Sequence, residues 1–205
     1  WQIATAEPGF RQSAYQVEVL RGDAPAEVVT VESSEQVLVS WPVSPLTSRE
    51  SVTVRVRVRA QTAGGADDWT AWSAPATAEA GLLSPEDWTA RFVSPRSIGA
   101  VGNPAPILTG EVTLPSDVVR ARLYTTAHGI YVASVNGARV GDHELSPGWT
   151  SYANRLRYQT FDVTDLVRPG GNTLDVLLGN GWYRGRLGFQ GTRAHYGTRL
   201  ALLAQ

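Results

Sequence analysis

The sequence predicts an all-β protein built as two successive sandwiches. Residues 51–59 alternate without a break: Val52, Val54, Val56 and Val58 point one way, and Thr53, Arg55, Arg57 and Arg59 the other. A period of two marks an antiparallel strand with one wet face. Turn signals made of Gly, Pro and Asn-Gly recur about every ten residues, the spacing of short sandwich strands. Helical signatures are confined to single turns near Ser84 and Thr164.

The first module is read over residues 1–80. Trp1-Gln2-Ile3 reads as a core strand, and Tyr15-Gln16-Val17-Glu18-Val19 alternates as a half-buried strand does. Gly22-Asp23 breaks that run. Val37 to Trp41 makes a further strand, ended by Pro42 and Pro45, which cannot donate to a ladder. After the Arg/Val strand, Gly64-Gly65 supplies a turn and Trp69 to Ser73 starts the returning strand. The Tyr-x-Val-x-Val strand, the Arg/Val strand and Trp72-Ser73-Ala74-Pro75 together resemble a fibronectin type III or immunoglobulin-like sandwich, here without its first strand. The basic stripe Arg55, Arg57, Arg59 is read as a solvent-facing strand surface. Nucleic-acid recognition would need aromatic residues interleaved on that face, and valines hold the alternate positions.

Residues 81–106 are expected to connect the modules. Ser84 is placed as an N-cap, with Pro85 at the first helical position and acids in the first turn. Phe92-Val93 is a short apolar stitch, and residues 94–106, rich in Pro, Gly, Ser and Ala, read as a linker. The second module, residues 107–205, is expected to be a jelly-roll sandwich. Its strand candidates are Glu111–Leu114, Arg120–Tyr124, Tyr131–Val135 and Arg157–Phe161, with Asn136-Gly137 as the strongest hairpin signal. Thr164 caps one helical turn through Val167, which Pro169-Gly170-Gly171 ends. Thr173–Leu178 is an almost continuous apolar run, as a buried central strand would be. Arg199–Ala204 starts a strand that meets Gln205 without a partner. Eight jelly-roll strands need more chain than this, so the module is expected to be incomplete at its C-terminus.

Composition narrows the function classes. The 205 residues are 42% hydrophobic and 18% charged with a net charge of −1, a globular balance. That balance argues against nucleic acid as a partner, and no apolar run approaches the ~20 residues of a membrane helix. All 18 basic residues are Arg, which is read as coding bias. With no cysteine, disulfides, thiol catalysis and Cys-based zinc sites are excluded. Methionine is also absent, so Trp1 is not read as a natural start, and the compartment, secreted or cytoplasmic, stays open.

The densest chemistry lies between Leu145 and Phe189, where Trp149, Tyr152, Trp182 and Tyr183 sit in Gly-rich turns. Such rings can stack on the C–H face of a sugar; they can equally cover the ends of a sandwich as core-edge residues. Arg184 and Arg186, with Asn180 and Gln190, offer planar donors for sugar hydroxyls or for a carboxylate across an interface. The carboxylates Asp142, Glu144, Asp162, Asp165 and Asp175 form no evident catalytic pair, since Asp162 and Asp165 flank a helix start where acids favour the dipole. His128, His143 and His195 are too far apart for a short metal motif and read as surface or hydrogen-bonded loop residues.

The ordered run from Arg122 to Phe189, including Gly148-Trp149-Thr150-Ser151-Tyr152 and Gly179-Asn180-Gly181-Trp182-Tyr183, is similar to the N-terminal β-sandwich module of bacterial α-L-rhamnosidases, glycoside hydrolase family 78. The resemblance covers roughly residues 107–205, and the preceding fibronectin-like domain fits the same arrangement. It implies a non-catalytic segment whose partners are a downstream (α/α)6 catalytic barrel of the same protein and rhamnose-containing glycosides. That barrel carries the two carboxylates and hydrolyses terminal α-L-rhamnosides with inversion. The other expectation is an autonomous carbohydrate-binding module for rhamnose-containing glycans. In both readings the candidate sugar contacts are Trp149, Tyr152, Asn180, Trp182, Tyr183 and Arg184. Some members bind rhamnose through calcium, but Ser151 and Asn180 stand where the family usually has Asp. Losing both carboxylates weakens a calcium site, which needs anionic oxygen ligands, so no cofactor and no metal ligand are expected.

Overall fold

A computed structural model of the chain describes residues 1–5, 9–61, 67–98 and 103–205. The chain forms two compact units, Trp1–Asp87 and Trp88–Gln205. The expected Gly64-Gly65 turn, and residues 99–102 of the expected linker, lie outside the described residues.

Unit 1 contains the strands Arg11–Leu20 (β1), Glu27–Val31 (β2), Ser51–Gln61 (β3), Asp67–Trp69 (β4) and Ala76–Glu79 (β5). Among the described residues they make one antiparallel five-stranded sheet, ordered β2-β1-β3-β4, with β5 also paired to β3. Val19, Val52 and Val58 are buried on its inner face, under Ile3, Val39, Val43 and Leu46 from irregular segments. On the outer face Arg55 grips both carboxylate oxygens of its cross-strand neighbour Glu18, at 2.7 and 2.8 Å. Arg57 donates to Gln16 at 2.6 Å, and Arg59 donates to Ser13 at 3.1 Å and pairs with Glu32. The aromatics missing from the strand's own sequence arrive from elsewhere: Arg57 lies 4.6 Å from the centre of Trp72 and 5.3 Å from that of Trp69. Each such contact contributes about 0.5–1 kcal/mol at an exposed site. The basic stripe is thus occupied by the unit's own acids and rings.

Three local expectations are corrected here. Val37–Trp41 is not a strand: Leu38 has φ +53 and is fully exposed, and nearby carbonyls are taken by side chains. The Gln12 amide donates to Ser33 and Glu35, and the Trp41 indole to Ser44, leaving no ladder to join. Trp1–Ile3 is not paired either, although Trp1 does reach the core, packing on Tyr15 at 4.7 Å and donating to Gln12 at 3.0 Å. The strand expected from Trp69 to Ser73 ends at Trp69. Beyond it the Thr70 and Ser73 amides still donate to the Val58 and Val56 carbonyls of β3 at 2.9 and 2.8 Å, but their hydroxyls, not their carbonyls, accept from the Val58 and Val56 amides. At Pro85–Asp87 the turn is 3-10, and its cap is the Asp87 carboxylate, which accepts from the Ser84 and Leu83 amides at 2.9 and 3.0 Å. Those bonds, and first of all one from the Ser48 hydroxyl, hold Asp87 below the usual carboxylate range.

Unit 2 contains Ile107–Leu114 (β6), Arg122–His128 (β7), Ile130–Val135 (β8), Ala138–Arg139 (β9), Gln159–Asp162 (β10), Gly170–Gly179 (β11), Gly181–Arg184 (α1), Arg186–Leu187 (β12), Thr192–Arg193 (β13) and Ala201–Ala204 (β14). Among the described residues one sheet runs β6-β11-β8-β9, a second β10-β7-β14, and β12-β13 form a separate ribbon. Val135, Val176 and Leu178 from the first sheet and Leu123, Phe161 and Leu202 from the second share one core, as in a sandwich. The Asn136-Gly137 turn forms as expected, with φ +51 and +81, the primed geometry that suits a two-residue hairpin. β11 is central, yet only its inner face is closed, since Leu177 is 42% exposed. Near Thr164 the capping group is again an acid. The Asp162 carboxylate accepts from the Thr164 amide and hydroxyl at 3.0 and 2.6 Å.

Part of the segment read as a connector lies on unit 2. Val93 exchanges two backbone hydrogen bonds of 2.8 Å with Leu202, and Trp88 meets the edge of Tyr158 at 5.3 Å. Phe92 stacks on His128 at 4.8 Å.

Candidate functional site

One corner of unit 2 gathers the ends of four strands: β7 ends at His128, β8 starts at Ile130, β11 ends at Gly179 and β14 starts at Ala201. Gly129 makes the β7–β8 link with φ +131, and a Cβ there would meet the Gly179 carbonyl oxygen at 2.4 Å. The loop holding Trp149 is tied to this corner because Tyr131 donates its backbone amide to Ser146 at 2.8 Å. From Gly179 the chain turns through Asn180 into α1, which presents Trp182, Tyr183 and Arg184.

All six sequence-predicted residues come together here. Trp149 and Trp182 stack with centroids 6.0 Å apart and planes 10° from parallel. Trp149 is 54% exposed, so one face of the pair is open. Its indole donates to the Tyr196 hydroxyl at 3.1 Å, and Tyr196 packs on Tyr152 at 4.9 Å. Tyr152 meets Tyr183 edge-on at 5.2 Å and donates to the Gly148 carbonyl at 3.2 Å. Tyr183 is buried, stacked 4.7 Å from His128 with planes 6° apart, and so supports the corner from beneath. Asn180 accepts from the Arg184 guanidinium at 2.8 Å.

Sequence reasoning missed Tyr196, His128 and Phe92 as members of this cluster. Tyr196 lies in the same Gly-rich run as Tyr183, which is the signal that could have found it. Nothing local marks Phe92 and His128, whose stacking depends on Val93 pairing with β14. His128 is not a surface or hydrogen-bonded loop residue; its ring lies between two others. Burial pushes its imidazole below the ordinary value of 6.5. The folded state then holds its proton less tightly than the unfolded chain, so the stability tied to neutral His128 is present above pH 6.5 and lost as pH falls through the depressed value. His128 lies in unit 2. Calorimetric scans from pH 7.5 to 5 should therefore show the melting temperature of unit 2 falling well before that of unit 1, and His128→Phe should flatten the fall. Equal pH response in both units would refute this.

At the two altered motif positions the Ser151 hydroxyl accepts from Asn154 at 3.0 Å, and the Asn180 carbonyl accepts from the Arg184 guanidinium at 2.8 Å. Among the described residues, no three His, Asp or Glu side chains are grouped to hold a metal ion. Three of the five candidate acids are engaged in structure: Glu144 pairs with Arg139 at 2.6 Å, Asp175 accepts from Thr109 at 2.6 Å, and Asp162 pairs with Arg122 at 2.8 Å. The Asp162 carboxyl is held down by the Thr164 bonds and then by Arg122, opposite to the raised value a general acid requires. What the corner offers chemically is an aromatic face with amide and guanidinium donors beside it, a surface for contact.

Two family models match the chain: the Rha78A-like N-terminal immunoglobulin domain over residues 1–84, and the alpha-L-rhamnosidase N-terminal domain over residues 116–205. An alpha-L-rhamnosidase of Streptomyces avermitilis is 50% identical over 109 residues, 53% of this chain and 10% of that protein. One of Formosa agariphila is 34% identical over 204 residues, 92% of this chain and 22% of that protein. The crystal structure of native alfa-L-rhamnosidase from Aspergillus terreus superposes with a TM-score of 0.86 at 45% identity, covering 95% of this chain and 23% of that one. The chain thus spans about a quarter or less of each of these relatives.

Proposed function

Since the chain belongs to the α-L-rhamnosidase family, of which it carries the two N-terminal domains, we propose that it is the accessory part of an enzyme hydrolysing terminal α-L-rhamnosides, with catalysis in a domain outside these residues. The observation that carries the reading is the ordered match of both domains, over a chain that makes up only 22% of a relative aligned along nearly all of it. The two sandwiches then act as rigid supports, and unit 2 presents its aromatic corner to whatever covers it. Incubated with an aryl α-L-rhamnoside, the 205-residue chain should release no aglycone, whereas the longer protein containing it should. Turnover by the chain alone would overturn the assignment.

A second reading is favoured by one observation, the open face of the Trp149–Trp182 pair. Here Trp149 and Trp182 take a sugar ring, with Tyr152, Asn180, Tyr183 and Arg184 positioning the pair, and no calcium takes part. Titration calorimetry with L-rhamnose should then give the same binding heat with calcium and with chelator, and Trp149→Ala should abolish it. The absence of heat at millimolar sugar would leave the supporting role alone.

A further inference from the structure

The ribbon that follows α1 is an unusual object for a protein to leave bare. β12 and β13 are two residues each, and their pairing sets Arg186 directly opposite Arg193. Like charges in facing positions destabilise a strand pair, and so short a ribbon is marginal by itself. Among the described residues neither guanidinium has a hydrogen bond or ion pair. The turn at the tip, closed by Gly191 donating to Gly188 at 3.1 Å, carries Phe189 fully exposed. The base is nonetheless anchored, because Ala194 donates to the Arg184 carbonyl at 3.1 Å and Tyr196 to that of Tyr183 at 3.3 Å. From Gly179 to Gln205 there are arginines at 184, 186, 193 and 199 and not one Asp or Glu, in a chain whose net charge is −1. The excess of positive charge is therefore local to this stretch.

We propose that this ribbon is a docking arm for a carboxylate-bearing protein surface with an apolar pocket. Resting on the function proposed above, that surface lies on the catalytic part of the same enzyme. Carboxylates set between Arg186 and Arg193 turn the repulsion into two forked ion pairs, and the pocket takes the Phe189 ring. An aromatic flanked by arginines is the composition of a protein–protein anchor. An acidic glycan is the poorer fit at this place. Sugar-stacking rings are held broadside by neighbours, as Trp149 and Trp182 hold each other, whereas Phe189 has no ring contact among the described residues.

The chain contains no cysteine, so Gln190→Cys puts a single thiol at the exposed tip. Maleimide labelling at this position, read by mass spectrometry, should be at least tenfold slower in the full-length enzyme than in the 205-residue chain. Adding Arg186→Glu and Arg193→Glu should restore fast labelling in the full-length enzyme while leaving the melting temperature of the short chain unchanged. Phe189→Ala, a milder change, should recover part of the rate. Equal labelling rates in the two proteins would overturn the proposal, as would protection that develops only when polygalacturonate is added. Hydrolysis of the aryl rhamnoside by the full-length enzyme reads the proposed function separately. Retained hydrolysis with an unprotected tip defeats the docking arm alone, and absent hydrolysis with a protected tip defeats the enzyme assignment alone.

Discussion

Replacing Gly129 by alanine should lower the stability of unit 2 by about 2–6 kcal/mol, the sum of a strained left-handed backbone and an overpacked contact. At φ +131 the added Cβ meets the Gly179 carbonyl oxygen at 2.4 Å and the Leu200 side chain at 3.0 Å. The carbonyl cannot rotate away cheaply, because Gly179 pairs with Ile130 in the ladder between β11 and β8. Gly179 is also the residue from which the chain turns toward Trp182, so relief of the clash must displace the aromatic corner. Urea unfolding of the purified chain measures the loss, and the near-ultraviolet circular dichroism of the stacked tryptophans should weaken in parallel. A loss under about 0.5 kcal/mol, the range of ordinary surface changes, would mean that the β7–β8 corner is built differently.

Asn172→Ala is expected to cost about 2–5 kcal/mol, again in unit 2. Asn172 is only 3% exposed and makes four hydrogen bonds. It accepts from the Arg168 amide at 2.9 Å and from the Asn136 side chain at 2.8 Å, and it donates to the carbonyls of Arg168 and Gly170 at 2.7 and 2.9 Å. Alanine strands several part-buried groups at once, each costing about 1–3 kcal/mol when left unpaired. Asn136 is the other half of the device: it accepts from Thr173 at 3.0 Å and donates to Leu166 at 2.8 Å, which knits the β8–β9 hairpin to the start of β11. The two residues act as a unit, so a double-mutant cycle with Asn136→Ala should give a coupling of about 0.5–3 kcal/mol. Strictly additive losses would show that the pair does not share one network.

The strand pattern of β3 was legible in the sequence because Val52, Val54, Val56 and Val58 repeat with the period of a pleated strand, a property of neighbouring residues alone. The Asn136-Gly137 hairpin was legible for a similar reason, since two adjacent left-handed residues are tolerated by few other pairs. The Val37–Trp41 misreading marks the edge of that method. Apolar alternation there serves packing through Val39, while its backbone neighbourhood is satisfied by the Gln12 amide, a side chain more than twenty residues away.

The sequence by itself determined that the chain is β-structure and which motifs it carries, and it named Trp149, Tyr152, Asn180, Trp182, Tyr183 and Arg184 as candidates; that they meet at one corner was decided by the fold. Tertiary structure alone decided which of those rings is open and which is a support, that Phe92 and His128 back them, and that Trp69 and Trp72 cover the arginines of β3. Local pattern and turn chemistry act over a few residues, whereas these outcomes depend on strand pairings that bring distant segments together. No short window of sequence contains both partners of such a contact.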